Sequence, residues 1–157
     1  MKIKLLVVGK TDHKGLQAMI SEYEKRLGHY VNFKLEVIPA VKATKNMSAT
    51  EQHDKEGEAI LSRISSSDML VLLDEQGKQY TSMQFARYLQ KFMNAGTRQL
   101  VFVVGGPYGF GDAVYSRAQH KIGLSLMTFS HQMVRLFFVE QLYRGFTILR
   151  NEPYHHQ

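Results

Sequence analysis

Cysteine is absent from all 157 residues. That excludes a disulfide framework, thiolate chemistry and any cysteine-based zinc site, and it leans towards a reducing compartment. The seven histidines show no HExxH or comparable ligand spacing, so the chain gives no reason to expect a metal. Long apolar runs are missing as well. The longest apolar segment near the C-terminus, Val134 to Leu149, is interrupted by Glu140 and Arg144, and the N-terminal strand lacks a signal-peptide core followed by small residues. The expectation is a soluble, cytoplasmic protein with no membrane partner. Acidic residues are the scarcer charge, 14 against 20 Lys and Arg, which leaves a net charge of +6 and a pI near 9.5. Such a balance favours an anionic partner, nucleic acid being the commonest. At 18.0 kDa the chain is one domain's length, enough to bury roughly two-thirds of its unfolded surface without staples.

What is present centres on one stretch. Leu100 to Val104 is an unbroken apolar run, and it breaks directly into Gly105-Gly106-Pro107-Tyr108-Gly109-Phe110-Gly111. An apolar run bounded by turn residues is the pattern of a strand covered on both faces, typical of parallel sheets. In open α/β sheets ligands sit at the carboxyl ends of such strands. The glycines allow close backbone approach and Pro107 fixes the loop's shape. Neither phosphate-binding pattern fits. No G-x-G pair begins at 105 or 106, and Asp112 and Ala113 stand where a Walker loop needs Lys and Ser or Thr. The loop suits a cofactor held without a phosphate cradle; a tight strand-to-helix turn with no ligand is the other reading.

The rest of the chain alternates strand and helix. Strands are expected at Lys2–Val8, Phe33–Ile38 with Phe33, Leu35 and Val37 inward, Asp68–Leu73, 100–104, and Ile122–Phe129 as strand or extended run. Asp74 to Lys78 reads as a polar, glycine-bearing loop, and Ala40 to Met47, with Lys42 and Lys45, as a basic surface loop. Helices are expected over Lys14–Leu27, from a capping box at Ser48–Glu51 to Ile64, from a Thr81 cap over Met83–Met93, over Asp112–Ala118, and over Gln132–Ile148. The order predicts a single α/β domain over 1–157, with a mainly parallel sheet flanked by helices. The last helix is apolar around most of its circumference, at Val134, Leu136, Phe137, Phe138, Val139, Leu142, Tyr143 and Phe146. A helix apolar on two sides needs two things to pack against, which predicts self-association, with Phe137 and Phe138 as interface positions.

Several motifs resemble the small SPOUT methyltransferases, in the branch that modifies large-subunit ribosomal RNA. They are Asp54-Lys55-Glu56-Gly57-Glu58, Leu73 ahead of Gly77-Lys78, Val104-Gly105-Gly106, Leu124 to Phe129, His131-Gln132-Met133-Val134-Arg135, Glu140-Gln141-Leu142-Tyr143-Arg144 and the closing Pro153-Tyr154-His155. The resemblance runs the length of the chain. It implies a C-terminal trefoil knot, a homodimer, S-adenosylmethionine as cofactor, and methyl transfer to N3 of a pseudouridine in 23S rRNA of the ribosome, with no metal. By position it assigns cofactor contacts to Leu73, Gly105, Leu124, Ser125, Leu126, Met127, Thr128 and Phe129. Substrate binding or catalysis would fall to His131, Arg135, Glu140, Arg144, Tyr154 and His155, with Tyr154 offering a ring on which a base could lie. Where relatives close with Lys or Arg after Tyr-His, this chain has His156 and Gln157. Charge and fold alone equally permit a non-catalytic RNA-binding or ribosome-associated α/β module.

Overall fold

The apolar runs at 3–8, 70–73 and 100–104 alternate their side chains between two buried faces, and the architecture follows from that alternation. A computed structural model, describing residues 1–42 and 46–156, contains five strands: β1 (Lys2–Val8), β2 (Asn32–Ile38), β3 (Met69–Gln79), β4 (Gln99–Val104) and β5 (His120–Gly123). All pair in parallel, in the order β2-β1-β4-β3-β5. Helices α1 (Lys14–Leu27), α3 (Ser82–Asn94) and α5 (Met133–Leu149) cover one face, packing Leu16, Leu89, Phe138 and Leu142 onto Ile3, Leu5, Phe102 and Val71. On the other face α2 (Ala49–Leu61) and α4 (Asp112–Arg117) set Ile60 and Val114 on Leu6, Leu72 and Val103. Each fully buried Leu, Val or Phe contributes about 1.5–3 kcal/mol, so the two cores carry most of the favourable free energy.

The expected capping box at Ser48–Glu51 and the expected Thr81 cap are both made. Ser48 Oγ accepts from the Glu51 amide at 3.1 Å while Glu51 accepts from the Ser48 amide at 3.0 Å, and Thr81 with Gln84 repeats the arrangement. Helix α5 ends in a Schellman turn: the Asn151 amide donates to Ile148 O at 3.0 Å and the Glu152 amide to Thr147 O at 2.9 Å, with Asn151 at φ 55°.

Three expectations are corrected. Asp74 to Lys78 is not a loop after β3 but a bulge within it, since Leu73 and Lys78 both pair with Ile122. Gly77 makes this possible: a Cβ there would lie 2.4 Å from the Ile122 carbonyl carbon. The strand expected at Ile122–Phe129 is only His120–Gly123, and of the apolar residues after it Leu124 is half-buried while Leu126, Met127 and Phe129 are exposed, Leu126 by 92%. Val37 is exposed as well, at 38%, on the edge strand β2. Lys42 is exposed as expected, whereas Lys45 and Gln157 lie outside the described residues.

The path from β5 to α5 is unusual. From β5 at one edge, the chain recrosses the carboxyl ends of β3 and β4 to begin α5 beside β1. Chains seldom cross other connections in this way.

Candidate functional site

Three loops distant in sequence meet at the carboxyl end of the sheet. They are the β3 bulge (Asp74 to Gln76), the glycine loop after β4 (Gly105 to Phe110) and the segment 124–131 between β5 and α5. Together they line a cleft of about 510 Å³ with Leu73, Val104 and Ile122 at its base. Thr128 Oγ1 donates to Glu75 at 3.0 Å and the Met127 amide donates to Ser125 Oγ at 2.9 Å, which ties the third loop to the first and shapes its turn. The glycine loop closes on itself: the Gly109 amide donates to Gly106 O at 3.1 Å, with Gly109 at φ 80°. A Cβ on Gly105 would meet Gly109 O at 3.1 Å and the Phe110 ring at 3.2 Å, and one on Gly106 would meet the buried Glu56 carboxylate at 2.8 Å. The loop's backbone is therefore drawn close on both sides, as the glycines led one to expect.

Of the residues expected at a cofactor, Leu73, Gly105, Leu124, Ser125, Met127, Thr128 and Phe129 all line the cleft. Leu126 does not; it points into solvent. Asp74, Glu75, Pro107, Tyr108, Tyr115 and Ser130 line it too and were missed. Their signal was position: all but Tyr115 lie beside or within stretches already singled out, whereas Tyr115 is brought in by α4. Tyr115 donates to Asp74 at 2.5 Å, and burial with that bond raises its phenol to about 12.

The residues expected at substrate separate into three places. His131 lines the cleft. Arg135, expected at substrate, is fully buried in this chain and forms a clamp. It donates to His131 O at 2.9 Å, Gly9 O at 2.9 Å, Thr11 Oγ1 at 3.0 Å and Val8 O at 2.8 Å. Gln132 extends the clamp, accepting from the Asp12 amide and donating to Lys10 O, both at 3.0 Å. The polar members of the His131–Arg135 motif thus fasten the start of α5 to the end of β1. Burial lowers the Arg135 pKa, with Asp12 acting in the opposite sense.

The third place gathers Glu140, Arg144, Tyr154 and His155. Glu140 Oε1 accepts from Arg144 Nη2 at 2.5 Å, Arg144 Nε at 3.1 Å and the Tyr154 hydroxyl at 3.0 Å. Arg144 Nη1 lies 3.3 Å from His155 Nδ1. The Arg144 guanidinium sits 4.6 Å over the Tyr154 ring, and Tyr143 meets the same ring edge-on at 4.8 Å. Burial lowers the Arg144 pKa, but Glu140 outweighs it and leaves the guanidinium above its ordinary value. Burial, then the bonds with Tyr23 and Glu140, raise the Tyr154 phenol. The tail is therefore docked and not frayed, and the Tyr154 ring is already covered by Arg144 and Tyr143. Thirteen positions of chain separate His131 from Arg144, about 20 Å at helical rise. Within one chain the cluster and the cleft do not meet.

Exposed apolar side chains lie between them. Met133 and Phe137 are 41% and 40% exposed, and the Phe129 ring packs against Phe137 at a tilt, centroids 4.8 Å apart. Phe138, by contrast, is core, packed 4.7 Å from Phe102 and corrected from an interface position. Among the described residues no group of three metal-ligating side chains occurs, and no helix is long and apolar enough to cross a membrane.

The family model described as "Predicted SPOUT methyltransferase" matches residues 1–155. Curated relatives named "Ribosomal RNA large subunit methyltransferase H" align over all of this chain and all of their own length. They are 62% identical in Flavobacterium johnsoniae, 59% in Parabacteroides distasonis and 50% in Bacteroides thetaiotaomicron. Among solved structures, a probable methylase family protein from Haemophilus influenzae superposes with a TM-score of 0.58, covering 99% of this chain and 70% of that one at 11% identity, which speaks to the fold.

Proposed function

The chain belongs to the SPOUT methyltransferase family, and from that premise we propose that it methylates N3 of a pseudouridine in large-subunit ribosomal RNA as a cytoplasmic homodimer using S-adenosylmethionine. One observation carries the cofactor assignment. Three loops converge on a cleft whose glycine loop admits no Cβ at Gly105 or Gly106 without close contact and has neither phosphate-binding pattern. A ligand with an adenine, a sulfonium and no phosphates fits such a cleft. S-adenosylmethionine, when bound, supplies an activated methyl group for in-line displacement.

The protein's share is orientation. Leu73, Leu124 and Phe129 give the cleft its apolar walls, and Ser125, Thr128 and the backbone of Gly105–Gly106 give it polar edges. The Arg135–Gln132 clamp holds His131 and Val134 against the cleft's open side. The crossing of the β5–α5 segment over the ends of β3 and β4 supports the family's trefoil knot, which keeps the third loop on the first two.

The dimer follows from α5. The midpoint between His131 and Arg144 falls at Phe137 and Phe138, and Phe137 is the exposed one. A two-fold axis beside Phe137 would lay two α5 helices antiparallel and bury Phe129, Met133 and Phe137. It would carry the Glu140–Arg144–Tyr154–His155 cluster of one protomer to the cleft of its partner. There Arg144 and His155 supply donors for the RNA, and Glu140 holds Arg144 in position.

Calorimetry tests the cofactor reading. The protein should bind S-adenosylmethionine and neither ATP nor NAD, and Gly105→Val should lose that binding by displacing the glycine loop, since the added side chain would press on Gly109 O and the Phe110 ring. Binding of ATP or NAD without response to S-adenosylmethionine would contradict it.

A further inference from the structure

A base in RNA must leave its stack before a ring nitrogen can reach the methyl donor, and an aromatic surface beside the cleft offsets that cost. Within one chain Tyr154 stands in the Glu140–Arg144 cluster away from the cleft, with Arg144 over its ring, Tyr143 edge-on to it and its hydroxyl on Glu140. Among the described residues four Phe or Tyr side chains line the cleft itself, and three are engaged. Phe110 is buried, Tyr115 donates to Asp74 beneath the Lys121 ammonium at 5.4 Å, and Phe129 lies on Phe137. The fourth is Tyr108, 60% exposed at the cleft's rim.

Its exposure is built in. Tyr108 is the third residue of the turn Gly106-Pro107-Tyr108-Gly109, closed by the Gly109 to Gly106 hydrogen bond. Proline in the second place and glycine in the fourth are the residues such a turn favours. Pro107 restricts the approach to Tyr108, and Gly109, at φ 80°, restricts the exit to a conformation that other residues resist. The ring lies near that of His53 of α2, tilted to it with centroids 6.3 Å apart. A large ring is held outward on a short, braced turn, at an energetic disadvantage in water that binding would relieve.

We propose that Tyr108 is a substrate-binding residue, the platform on which the RNA's target base or its neighbour stacks at the cleft. This rests on the methyltransferase reading above. Stacking needs a π-face and no hydroxyl, so Tyr108→Phe keeps it and Tyr108→Ala removes it. Exposure of the ring means that truncation leaves the fold alone.

The test uses large ribosomal subunits from cells lacking the protein, with methyl-labelled S-adenosylmethionine, and follows KM for subunits alongside the calorimetric Kd for the cofactor. For Tyr108→Ala, KM should rise about five- to hundredfold with the cofactor Kd unchanged, and Tyr108→Phe should restore KM to within about twofold of wild type. An unchanged KM in the alanine variant overturns the proposal. So does a rise in cofactor Kd with KM for subunits unmoved, which would make Tyr108 a cofactor cover. A wild-type protein that labels no RNA removes the methyltransferase reading and the proposal with it, whereas an active wild type with an unaffected alanine variant removes the proposal alone.

Discussion

Replacing Arg135 by Met separates a clamp from a substrate contact. Methionine keeps most of the side chain's apolar length and removes the guanidinium. Three carbonyls and one hydroxyl, those of Val8, Gly9, His131 and Thr11, lose their donor. An unmet buried acceptor costs about 1–3 kcal/mol, and removing one partner of a buried charged network typically costs about 3–5 kcal/mol. Against this stands the relief of burying a charge, which here lowers the arginine's own pKa. A net loss of about 3 kcal/mol is expected. In a chain of this length that lowers Tm by roughly 6–12 °C at fixed protein concentration. Arg135→Lys should recover little, because one ammonium cannot reach acceptors that the planar fork spans. Calorimetric melting at one protein concentration reads the result. A Tm within about 2 °C of wild type combined with lost methyl transfer would refute the clamp and return Arg135 to the substrate.

Gly77→Ala should unseat β5, because the added Cβ would lie 2.4 Å from backbone of Ile122; the variant should melt well below wild type and lose cofactor binding, and wild-type values for both would contradict the bulge's role. Phe137→Glu should give folded monomers by sedimentation at micromolar concentration, while Phe138→Glu, at a fully buried site, should fail to fold; a dimeric Phe137→Glu would exclude this helix face as the interface. Burial raises the Glu36 carboxyl, but the hydrogen bond from Arg63 with Lys4 and Lys34 beside it outweighs burial and holds it below its ordinary value. Its contribution is thus complete above the unfolded carboxylate pKa of about 4.3 and fades as pH falls through the lower folded value. Glu36→Gln should accordingly flatten the acid limb of Tm against pH, and an unchanged limb would contradict the assignment.

The fold was legible wherever burial on two faces leaves a periodic mark. Strands β1 and β4 and helices α1 and α3 fall within a residue or two of expectation, because their apolar spacing and caps are local facts. The sheet's far edge was less legible. Ile122 to Phe129 has a strand's composition, yet its second half forms the cleft's third wall, and exposed apolar residues resemble buried ones in sequence. Polar Asp74 to Lys78 hid a strand for the converse reason, since its pairing depends on a glycine contact with a segment 45 positions on. For the site, the glycine loop was visible as chemistry, and the wall residues Leu73, Leu124, Ser125 and Met127 to Phe129 came from the family resemblance. Arg135 could not be told from a substrate arginine, because three of its four partners lie at positions 8–11, about 125 positions away. The gap between His131 and the Glu140–Arg144 cluster likewise appears only when one chain's geometry is laid out.

The central claim is tested most directly by mass spectrometry of large-subunit rRNA. Subunits from cells lacking the protein, incubated with it and S-adenosylmethionine, should gain one methyl group, and nuclease mapping should locate that group on N3 of a pseudouridine. Unmethylated rRNA after such incubation, with the cofactor bound and the dimer intact, would contradict the account.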